Sequence, residues 1–384
     1  MKICLISNLF PPIERGGAEK VAQAMARGLR KAGHDVFIIS TKPQGEFKQE
    51  IEDNLKIYRF RPLNIYYYLN DFKHHAIVRL LWHFFDIFNF HSYFVIKKIL
   101  INEKPDLVIS HCLMGIGFLL PTLIKRLKIK HFHVIHDVQL AVPSGLILKC
   151  QENNFAISGF LTNWYTKLCA KLFSGINLII SPSKWLLDFY LNKDFFKQTK
   201  TVVLTNPLQT QPFDQPKKCK QNKYLFIGQI KPHKGIQWLI DVWEKNNLMS
   251  ELIIIGDGDK LIVQKQNIKV IGRKNQQEIM DQFQQIDFLI MPSLCYENSP
   301  TLIPLSFACA TPLIVANIGG AGEAVNETNG FKFESKDEAD FLQKLRQSME
   351  LPNAEYTKLS QNCLLQAKNY SFDTYISQIL ANID

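Results

Sequence analysis

The stretch from 288 to 325 constrains the fold of this chain more strongly than any other segment. Two short apolar runs, 288–291 and 313–316, have the length and composition of buried strands. Each run ends at residues that favour a loop, Pro292-Ser293 after the first and Gly319-Gly320 after the second. Two such strands, with room for a helix between them, predict one unit of an α/β domain with a parallel sheet.

The residues between and after these strands favour two helices. Ser299 has N-cap chemistry, and Pro300 suits the first turn of a helix that we expect from 301 to about 310. We expect Glu323 to open a second helix after the Gly-Gly turn. The pattern places a carboxylate, a hydroxyl and two helix N-termini at the carboxyl edge of the sheet. Ligands bind at that edge in open α/β sheets, and helix N-termini favour anionic phosphates.

The length of the chain predicts two domains, because 384 residues are many for one hydrophobic core. The polar segment 207–222, rich in Pro, Lys and Gln, is typical of an interdomain linker. We therefore place one domain at 1–206 and a second at 223–365. We expect the remaining segment, 366–384, to be helical.

Both predicted domains begin with the same kind of unit. Strand 2–7 is followed by a loop that contains Gly16-Gly17 and by a helix over 18–32. The loop lacks the G-x-G-x-x-G pattern, so a nicotinamide site is disfavoured. The second domain starts with an apolar strand at 224–228, which a glycine-containing loop follows. Further along this domain we expect a helix over 276–285.

The net charge of +10 is unevenly distributed along the chain. Residues 1–206 contain 27 Lys and Arg against 15 Asp and Glu, which gives +12, whereas the remainder carries −2. A basic first half predicts contact with an anionic membrane surface or acceptor, and a merely solvated basic face is the alternative. No zinc-finger, RNP or helix-turn-helix signature is present in the sequence, so we predict no nucleic-acid partner.

The cysteine pattern and the hydropathy predict a cytoplasmic protein, located at most peripherally on the inner face of the cytoplasmic membrane. The eight cysteines form no CxxC pair and show no regular spacing, which is typical of reduced thiols. The apolar run at the N-terminus is too short for a signal peptide. No stretch has the length and low charge of a transmembrane helix.

Aromatic and basic residues alternate through the segment 55–100. Helices of this composition can lie on a membrane interface. The alternative, at least as well supported by the sequence, is that the aromatic side chains face the core and the basic side is solvated.

Polar residues also follow the other predicted strands. His111 ends one strand, and His136-Asp137 ends the next. In the second half, the loop 228–235 contains Lys234 directly before a Gly and a helix start, and Gly256 follows the next strand. Gly-rich loops of this kind let backbone N–H groups approach phosphate oxygens.

These motifs together resemble family 4 glycosyltransferases of the GT-B fold. The resemblance covers nearly the whole chain and rests on Pro-Pro with Gly-Gly-Ala-Glu at 11–19, His-Asp at 136–137, and Pro-Ser with Glu297. It continues with Ala-Cys-Ala-Thr-Pro at 308–312 and Gly-Gly-x-x-Glu at 319–323. The family implies two Rossmann-like, doubly wound domains that face a cleft, with a terminal helix crossing back to the first domain.

The resemblance also implies the roles of individual residues. His136, Glu297 and Lys234 are the expected catalytic residues, and His111 and Asp137 are expected to bind the acceptor. No metal and no cofactor is expected, since the nucleotide-diphosphate sugar is itself a substrate. The expected donor-binding residues are Gly16, Gly17, Gln229, Lys234, Gly256, Arg273, Glu297, Asn298, Ser299, Pro300, Thr301 and Leu305.

The chain departs from the family pattern at two of these positions. Leu305 stands where the family has a second Glu that binds the ribose hydroxyls, and Gln229 replaces an Arg of the phosphate loop. Leu offers no hydrogen bond to a ribose, and Gln offers one without a charge.

The expected function is transfer of a hexose-type sugar from a nucleotide diphosphate to a glycan or lipid-linked acceptor, with retention, in polysaccharide or cell-surface glycan synthesis. Two alternatives remain at this point. A degenerate member could bind a glycan or a partner without turnover, and a sugar-nucleotide epimerase uses the same architecture.

Overall fold

The structure is a computed structural model that describes residues 1–208 and 210–383, with the backbone alone for Phe72 and Ala76. The chain forms two compact units. The first unit comprises Met1–Gly145, Asn154–Thr205 and the chain from Tyr375, and the second comprises Leu146–Asn153 and Asn206–Thr374. The segment Leu146–Asn153, which we placed in the first domain, therefore groups with the second unit.

The first unit is built on an eight-stranded sheet in the order β3-β4-β2-β1-β5-β6-β7-β8, in which only the pair β3–β4 is antiparallel. Its elements in chain order are β1 Lys2–Ile6, α1 Gly17–Lys31, β2 Asp35–Thr41, β3 Lys48–Glu52, β4 Leu55–Phe60, α2 Ala76–Ile87, α3 Phe90–Glu103, β5 Leu107–Ser110, α4 Leu120–Arg126, β6 Lys130–Val134, α5 Phe155–Ser158, α6 Phe160–Leu172, β7 Leu178–Ser181, α7 Lys184–Leu191 and β8 Lys200–Val203.

The second unit is built on a six-stranded, fully parallel sheet in the order β11-β10-β9-β12-β13-β14. Its elements in chain order are β9 Lys223–Ile227, α8 Ile236–Lys245, β10 Glu251–Ile255, β11 Ile268–Val270, α9 Gln276–Gln285, β12 Phe288–Met291, α10 Leu302–Ala308, β13 Leu313–Ala316, α11 Gly319–Ala324, β14 Gly330–Phe333, α12 Glu338–Glu350 and α13 Asn353–Ala367. The last helix, α14 Phe372–Leu380, begins in the second unit and ends in the first.

The second sheet is buried on both faces, which explains why its strands appear in the sequence as continuous apolar runs. Successive residues of one strand enter different core clusters: Phe288 and Ile290 lie in one cluster, and Leu289 and Met291 lie in the other. Side chains of a strand alternate between the two faces of the sheet, and helices cover each face. The predicted α/β class with two mainly parallel sheets is confirmed.

Two helix starts in the central stretch differ from the prediction. The helix α10 begins at Leu302 with Thr301 as its N-cap, because Pro300 and Thr301 form the preceding turn, in which the N–H of Ile303 bonds to the carbonyl of Pro300. Ser299 is therefore not the N-cap. The next helix begins at Gly319 and already contains Glu323, so the Gly-Gly pair is the first turn of a helix.

The end of the chain is held by the first unit. Lys130, the first residue of β6, donates a hydrogen bond from Nζ to the carbonyl oxygen of Ile383. Tyr375, Ile376 and Ile379 of α14 are buried. This helix thus contributes its apolar face to a core formed mainly by residues far away in the sequence.

Candidate functional site

In the second unit, the predicted donor residues follow consecutive strands of the parallel sheet. Gln229 comes after β9, Gly256 after β10 and Arg273 after β11. Loop 292–301 follows β12, and Gly319 lies three residues after β13. Since all six strands run in the same direction, these residues lie along one carboxyl edge, where ligands bind in open α/β sheets.

The structure brings two of the predicted catalytic residues together in one ion pair. Lys234 Nζ lies 2.6 Å from Glu297 Oε1, and the same oxygen accepts a hydrogen bond of 2.8 Å from Ser293 Oγ. The side chain of Lys234 is 26% exposed and that of Glu297 is 14% exposed. A charged pair this poorly solvated is held in one geometry by its hydrogen bonds.

The charge of Lys234 is maintained by its partner. Burial acts to lower the pKa of the ammonium, but the attraction and hydrogen bond of the Glu297 carboxylate outweigh it, so the pKa is raised. Lys234 is therefore a protonated, partly accessible cation at the edge of the sheet. Such a cation can stabilise negative charge that develops on a phosphate leaving group.

Two glycines allow the loops of this pair to approach each other. Gly235 has a φ of +72°, and a Cβ atom on it would lie 1.9 Å from the carbonyl oxygen of Pro292. Gly319 has a φ of +60°, and a Cβ atom there would lie 2.4 Å from the carbonyl oxygen of Glu297. The N–H of Gly320 donates to that same oxygen over 2.6 Å. The first turn of α11 thus fixes the backbone of Glu297.

The other predicted donor residues do not join this pair. Gln229 is exposed, and the guanidinium of Arg273 lies 3.9 Å from the Asp257 carboxylate, with both side chains mostly exposed. Leu305 is half-buried and packs against the apolar cluster that contains Ile303 and Phe307. The remaining members are half-buried, apart from the exposed Thr301: Gly256, Asn298, Ser299 and Pro300.

The segment 146–153 pairs with the loop that precedes Glu297. Leu148 and Cys295 form an antiparallel bridge, and the N–H of Tyr296 donates to the carbonyl of Ile147 over 3.0 Å. The Tyr296 hydroxyl donates to Glu152 Oε1 over 2.7 Å. This segment therefore holds the loop through backbone and side-chain hydrogen bonds, a pairing that the sequence did not indicate.

In the first unit, the structure brings His111 and His136 together. His111 Nδ1 lies 2.9 Å from His136 Nε2, and the two rings are stacked with their centroids 5.2 Å apart. Both residues and Asp137 line one small pocket, together with Cys112, Gln139 and Tyr190 among others. Within the described residues, His111 Nε2 is buried and has no hydrogen-bond partner. A buried ring nitrogen of this kind can bind a hydroxyl group of a ligand.

Burial sets the protonation of this pocket. It lowers the pKa of His136 to about 4 and raises the pKa of Asp137 to about 6. The pKa of His111 is lowered well below its usual value, first by burial and then by repulsion from His136 and His133. The two imidazoles are therefore neutral at pH 7 and can donate or accept hydrogen bonds without adding charge.

The Gly16-Gly17 loop is connected to the same region of the first unit. The helix α1 begins at Gly17, and the N–H of Gly16 donates to Glu19 Oε2 over 3.0 Å. Upstream in this loop, the N–H of Asn8 donates to the carbonyl of Cys112 over 2.9 Å. The first turn of α1 therefore starts at the Gly pair, and because the Gly16 N–H is bound to Glu19, an anion there can bind the N–H groups from Gly17 onward.

Arg59 holds this loop in place, a role that the sequence analysis missed. Its side chain is 3% exposed and donates to the carbonyls of Phe10 and Pro11 while it pairs with Glu50 over 3.1 Å. Ser293 was also missed as a partner of Glu297. The Pro-Ser motif marked its position, whereas nothing in the sequence marked Arg59.

The described part of the chain contains neither a candidate metal site nor a candidate membrane-spanning helix. No group of three or more His, Cys, Asp or Glu in residues 1–208 and 210–383 is arranged to hold a metal ion. Over the same residues, none of the helices combines the length and apolar character needed to span a bilayer.

Comparison with protein families gives two matches that together span most of the chain. A family model described as Glycosyltransferase Family 4 matches residues 15–211, which is more than half of the chain. A second model, described as Glycosyl transferases group 1, matches residues 221–350.

Individual proteins show the same similarity at low identity. An uncharacterized 42.6 kDa protein in the cps region of Klebsiella pneumoniae is 22% identical over 329 residues, covering 84% of this chain and 87% of the relative. Sucrose-phosphate synthase from Thermosynechococcus elongatus has a TM-score of 0.71 at 15% identity, covering 99% of this chain and 97% of that chain. Anabaena HepE in complex with UDP has a TM-score of 0.70 at 15% identity, covering 100% and 99%. These likenesses show that the chain has the GT-B fold.

Proposed function

Because this chain belongs to glycosyltransferase family 4, we propose that it transfers a hexose-type sugar from a nucleotide diphosphate to a hydroxyl group of a glycan or lipid-linked acceptor, with retention at the anomeric carbon. The observation that carries the proposal is the Lys234–Glu297 ion pair of 2.6 Å at the carboxyl edge of a parallel sheet. A partly exposed carboxylate and a protonated lysine at this edge suit a sugar hydroxyl and a diphosphate, respectively.

In the proposed reaction, the bond between the anomeric carbon and the phosphate oxygen breaks, and the electron pair leaves with the diphosphate. Lys234 stabilises the charge that grows on this leaving group. The acceptor oxygen forms the new bond on the face of the anomeric carbon that the diphosphate leaves, and it passes its proton to the departing phosphate oxygen. Glu297 holds hydroxyl groups of the sugar or stabilises positive charge on its ring, and Ser293 keeps the carboxylate in position.

We assign His136 to the sugar and the acceptor hydroxyl. Its neutral ring can hydrogen-bond both, and the unpaired Nε2 of His111 offers a second contact in the same pocket. Asp137 lines this pocket as well. We propose that His111 and Asp137 bind the acceptor, that His136 acts as a catalytic residue beside the sugar, and that the N–H groups at Gly16-Gly17 approach the donor diphosphate.

The first donors to test are UDP-sugars, because HepE has been solved in complex with UDP and with UDP-glucose. Purified protein is incubated with a panel of nucleotide sugars, and the products are identified by mass spectrometry. Transfer or slow hydrolysis of one donor supports the proposal. Formation of an epimer supports a sugar-nucleotide epimerase, and no turnover of any donor supports a binding protein without catalysis.

We extend the proposal to the cellular setting. The Klebsiella relative lies in the cps region, and this supports a role in polysaccharide or cell-surface glycan synthesis. The charge of +12 on residues 1–206 supports peripheral contact with the anionic inner face of the cytoplasmic membrane. Release from acidic vesicles by salt tests this contact, and equal binding to neutral vesicles would remove the electrostatic argument.

A further inference from the structure

One face of α2 is apolar and exposed from Ile77 to Phe85. Five residues with the spacing of a core-facing helical stripe are each at least half exposed, whereas Trp82 and Asp86 on the other side of the helix are buried. We call this surface the α2 face, and it consists of Ile77 (75% exposed), Leu80 (60%), Leu81 (50%), Phe84 (51%) and Phe85 (54%). An apolar stripe left in water marks an interaction surface.

A second apolar surface lies on α5 and α6. We call it the α6 face, and it consists of Phe155 (72% exposed), Phe160 (78%), Leu161 (56%) and Trp164 (51%). Tyr165 and Thr166, next to Trp164 in the sequence, are buried. Aromatic residues make up three of the four members, and Trp is the residue type most enriched at membrane interfaces.

Both helices are attached to the loops that carry the candidate acceptor residues. Asp86 of α2 accepts a hydrogen bond of 2.8 Å from the N–H of Gly115, which follows β5 and His111. The Tyr165 hydroxyl of α6 donates over 2.7 Å to the carbonyl of Gln139, which follows β6 and His136.

Phe118 contacts both helices. The N–H of Phe118 donates to the carbonyl of Ile87, and its ring lies 6.5 Å from the ring of Tyr165. Phe118 also lines the pocket of the two histidines. The apolar faces are thus carried by helices that contact two residues of the pocket lining, Phe118 and Gln139.

The charges around these helices favour an anionic partner. Segment 61–102 contains five Lys and Arg against two acidic residues, and segment 154–174 contains two Lys and no acidic residue. Of the two acids, Asp71 is paired with Arg79 over 2.8 Å, and Asp86 is buried. Apolar side chains on segments with this excess of positive charge fit a bilayer with anionic head groups, whereas a second copy of this chain would bring like charges together.

We infer that the α2 and α6 faces insert into the surface of an anionic lipid bilayer and thereby bring the acceptor pocket to a lipid-linked substrate. Only the use of this surface for a lipid-linked acceptor rests on the proposed function. Membrane contact would then depend on apolar insertion at two defined helices in addition to the overall positive charge.

The test uses the full chain and two kinds of vesicle, pure phosphatidylcholine and an equimolar mixture with phosphatidylglycerol. Phe84→Ser with Phe85→Ser alters the α2 face, and Phe160→Ser with Trp164→Ser alters the α6 face. Ile51→Ser with Met249→Ser is the matched control, because these apolar residues are 75% and 88% exposed but lie on neither helix. Binding is measured by co-sedimentation, and circular dichroism checks the fold of each variant.

We expect the wild type and the control to bind the mixed vesicles, and each face variant to partition at least about tenfold less, since burial of one Phe is worth about that factor. Face variants that fold and bind like the wild type would overturn the inference, as would a wild type that binds neither vesicle. A lipid-free dimer that the α2 variant converts to a monomer would also overturn it, because the face would then be a subunit interface.

Donor turnover with a water-soluble acceptor, measured in parallel, separates this inference from the proposed function. We expect the face variants to keep that turnover, since none of the altered residues lines the histidine pocket or belongs to the Lys234–Glu297 ion pair. A wild type that binds vesicles but turns over no donor would refute the proposed function and leave the membrane surface supported.

Discussion

Lys234 and Glu297, 63 positions apart in the chain, form an ion pair with Nζ and Oε1 at 2.6 Å. Each was a candidate for catalysis on its own, but the structure makes them one unit, because either charge would lose its main partner if the other were removed. Three predictions follow from this pair and from other residues of the second unit, and a fourth from the histidine pair of the first unit; each can be checked on the purified protein.

Lys234→Ala should lower the transfer rate about a hundred- to a thousandfold, the usual effect of removing one preorganised electrostatic group. It should also destabilise the protein by about 1–3 kcal/mol, because the Glu297 carboxylate is 14% exposed and loses its cation. Lys231→Ala is the control, since Lys231 is 46% exposed and makes a surface pair with Asp259. Rates are measured with the donor identified in the panel. A Lys234→Ala rate within about twofold of the wild type would refute the assignment.

Gly235→Ala and Gly272→Ala form a matched pair of backbone variants. Both glycines have a φ of +72°, but a Cβ on Gly235 would lie 1.9 Å from the Pro292 carbonyl, whereas nothing lies within 4 Å of one on Gly272. We expect Gly272→Ala to cost about 1 kcal/mol of stability and Gly235→Ala about 3 kcal/mol or more, with loss of activity. Chemical denaturation measures both. Equal costs would show that the packing of the two loops is unimportant.

If position 305 faces the ribose as the family pattern implies, Leu305→Glu should tighten binding of a nucleoside diphosphate through charge-assisted hydrogen bonds, each worth about 1.5–3 kcal/mol. Since Leu305 packs against the core cluster, the substitution should also lower the free energy of unfolding. Leu305→Gln controls for size without the charge. Titration calorimetry with several nucleoside diphosphates decides the matter. If the wild type already binds one tightly and the Glu variant binds it no better, Leu305 does not replace a lost ribose ligand.

The imidazole signals of His111 and His136 should keep their neutral positions in NMR spectra down to about pH 5. Burial lowers the pKa of His136 to about 4, so between that value and the usual 6.5 the unfolded chain binds more protons at this residue than the folded one. This residue therefore makes the free energy of unfolding fall as the pH decreases through that window. A midpoint near 6.5 for His136 would contradict the burial argument.

NMR is preferred to thermal melting for this test because two buried carboxyls act in the opposite direction. Burial raises the pKa of Asp86 to about 7 and that of Asp137 to about 6. Their folded forms hold protons that the unfolded chain has lost, so their contribution to stability decreases as the pH rises from about 4 to 7. Assignment through His111→Asn and His136→Asn isolates the two imidazoles.

Much of the fold was accessible from the sequence because local signals and tertiary packing agree. The run 288–291 is apolar at every position since both faces of its sheet are covered. The helix over 276–285 has its predicted bounds because Asn275 and Glu278 form a capping box. The helix that starts at Gly319 was predicted to start later, because Gly disfavours helix and only contact with the Glu297 backbone reveals the start.

The candidate site was accessible only as a set of separate residues. The sequence identified Lys234 and Glu297 but did not show that they form an ion pair. Their loops can approach each other only because Gly235 and Gly319 have no Cβ atom. Arg59 belonged to a segment expected to be either interfacial or solvated on its basic side, yet it is buried against loop carbonyls. A cation buried by main-chain acceptors leaves no pattern in the sequence, since any carbonyl can be its partner.

The assignment of Leu146–Asn153 to the second unit has a consequence for modular engineering. A chimera that joined residues 1–205 of this protein to the second unit of a relative would import a foreign partner for Leu148 and Glu152, and would break their pairing with Cys295 and Tyr296. A second unit joined at the linker alone would then have its loop 292–301 without the native pairing to 146–153. A chimera that keeps this pairing has to exchange 146–153 together with the residues from 206 onward. The exchangeable unit of this protein therefore consists of two separate segments of the chain.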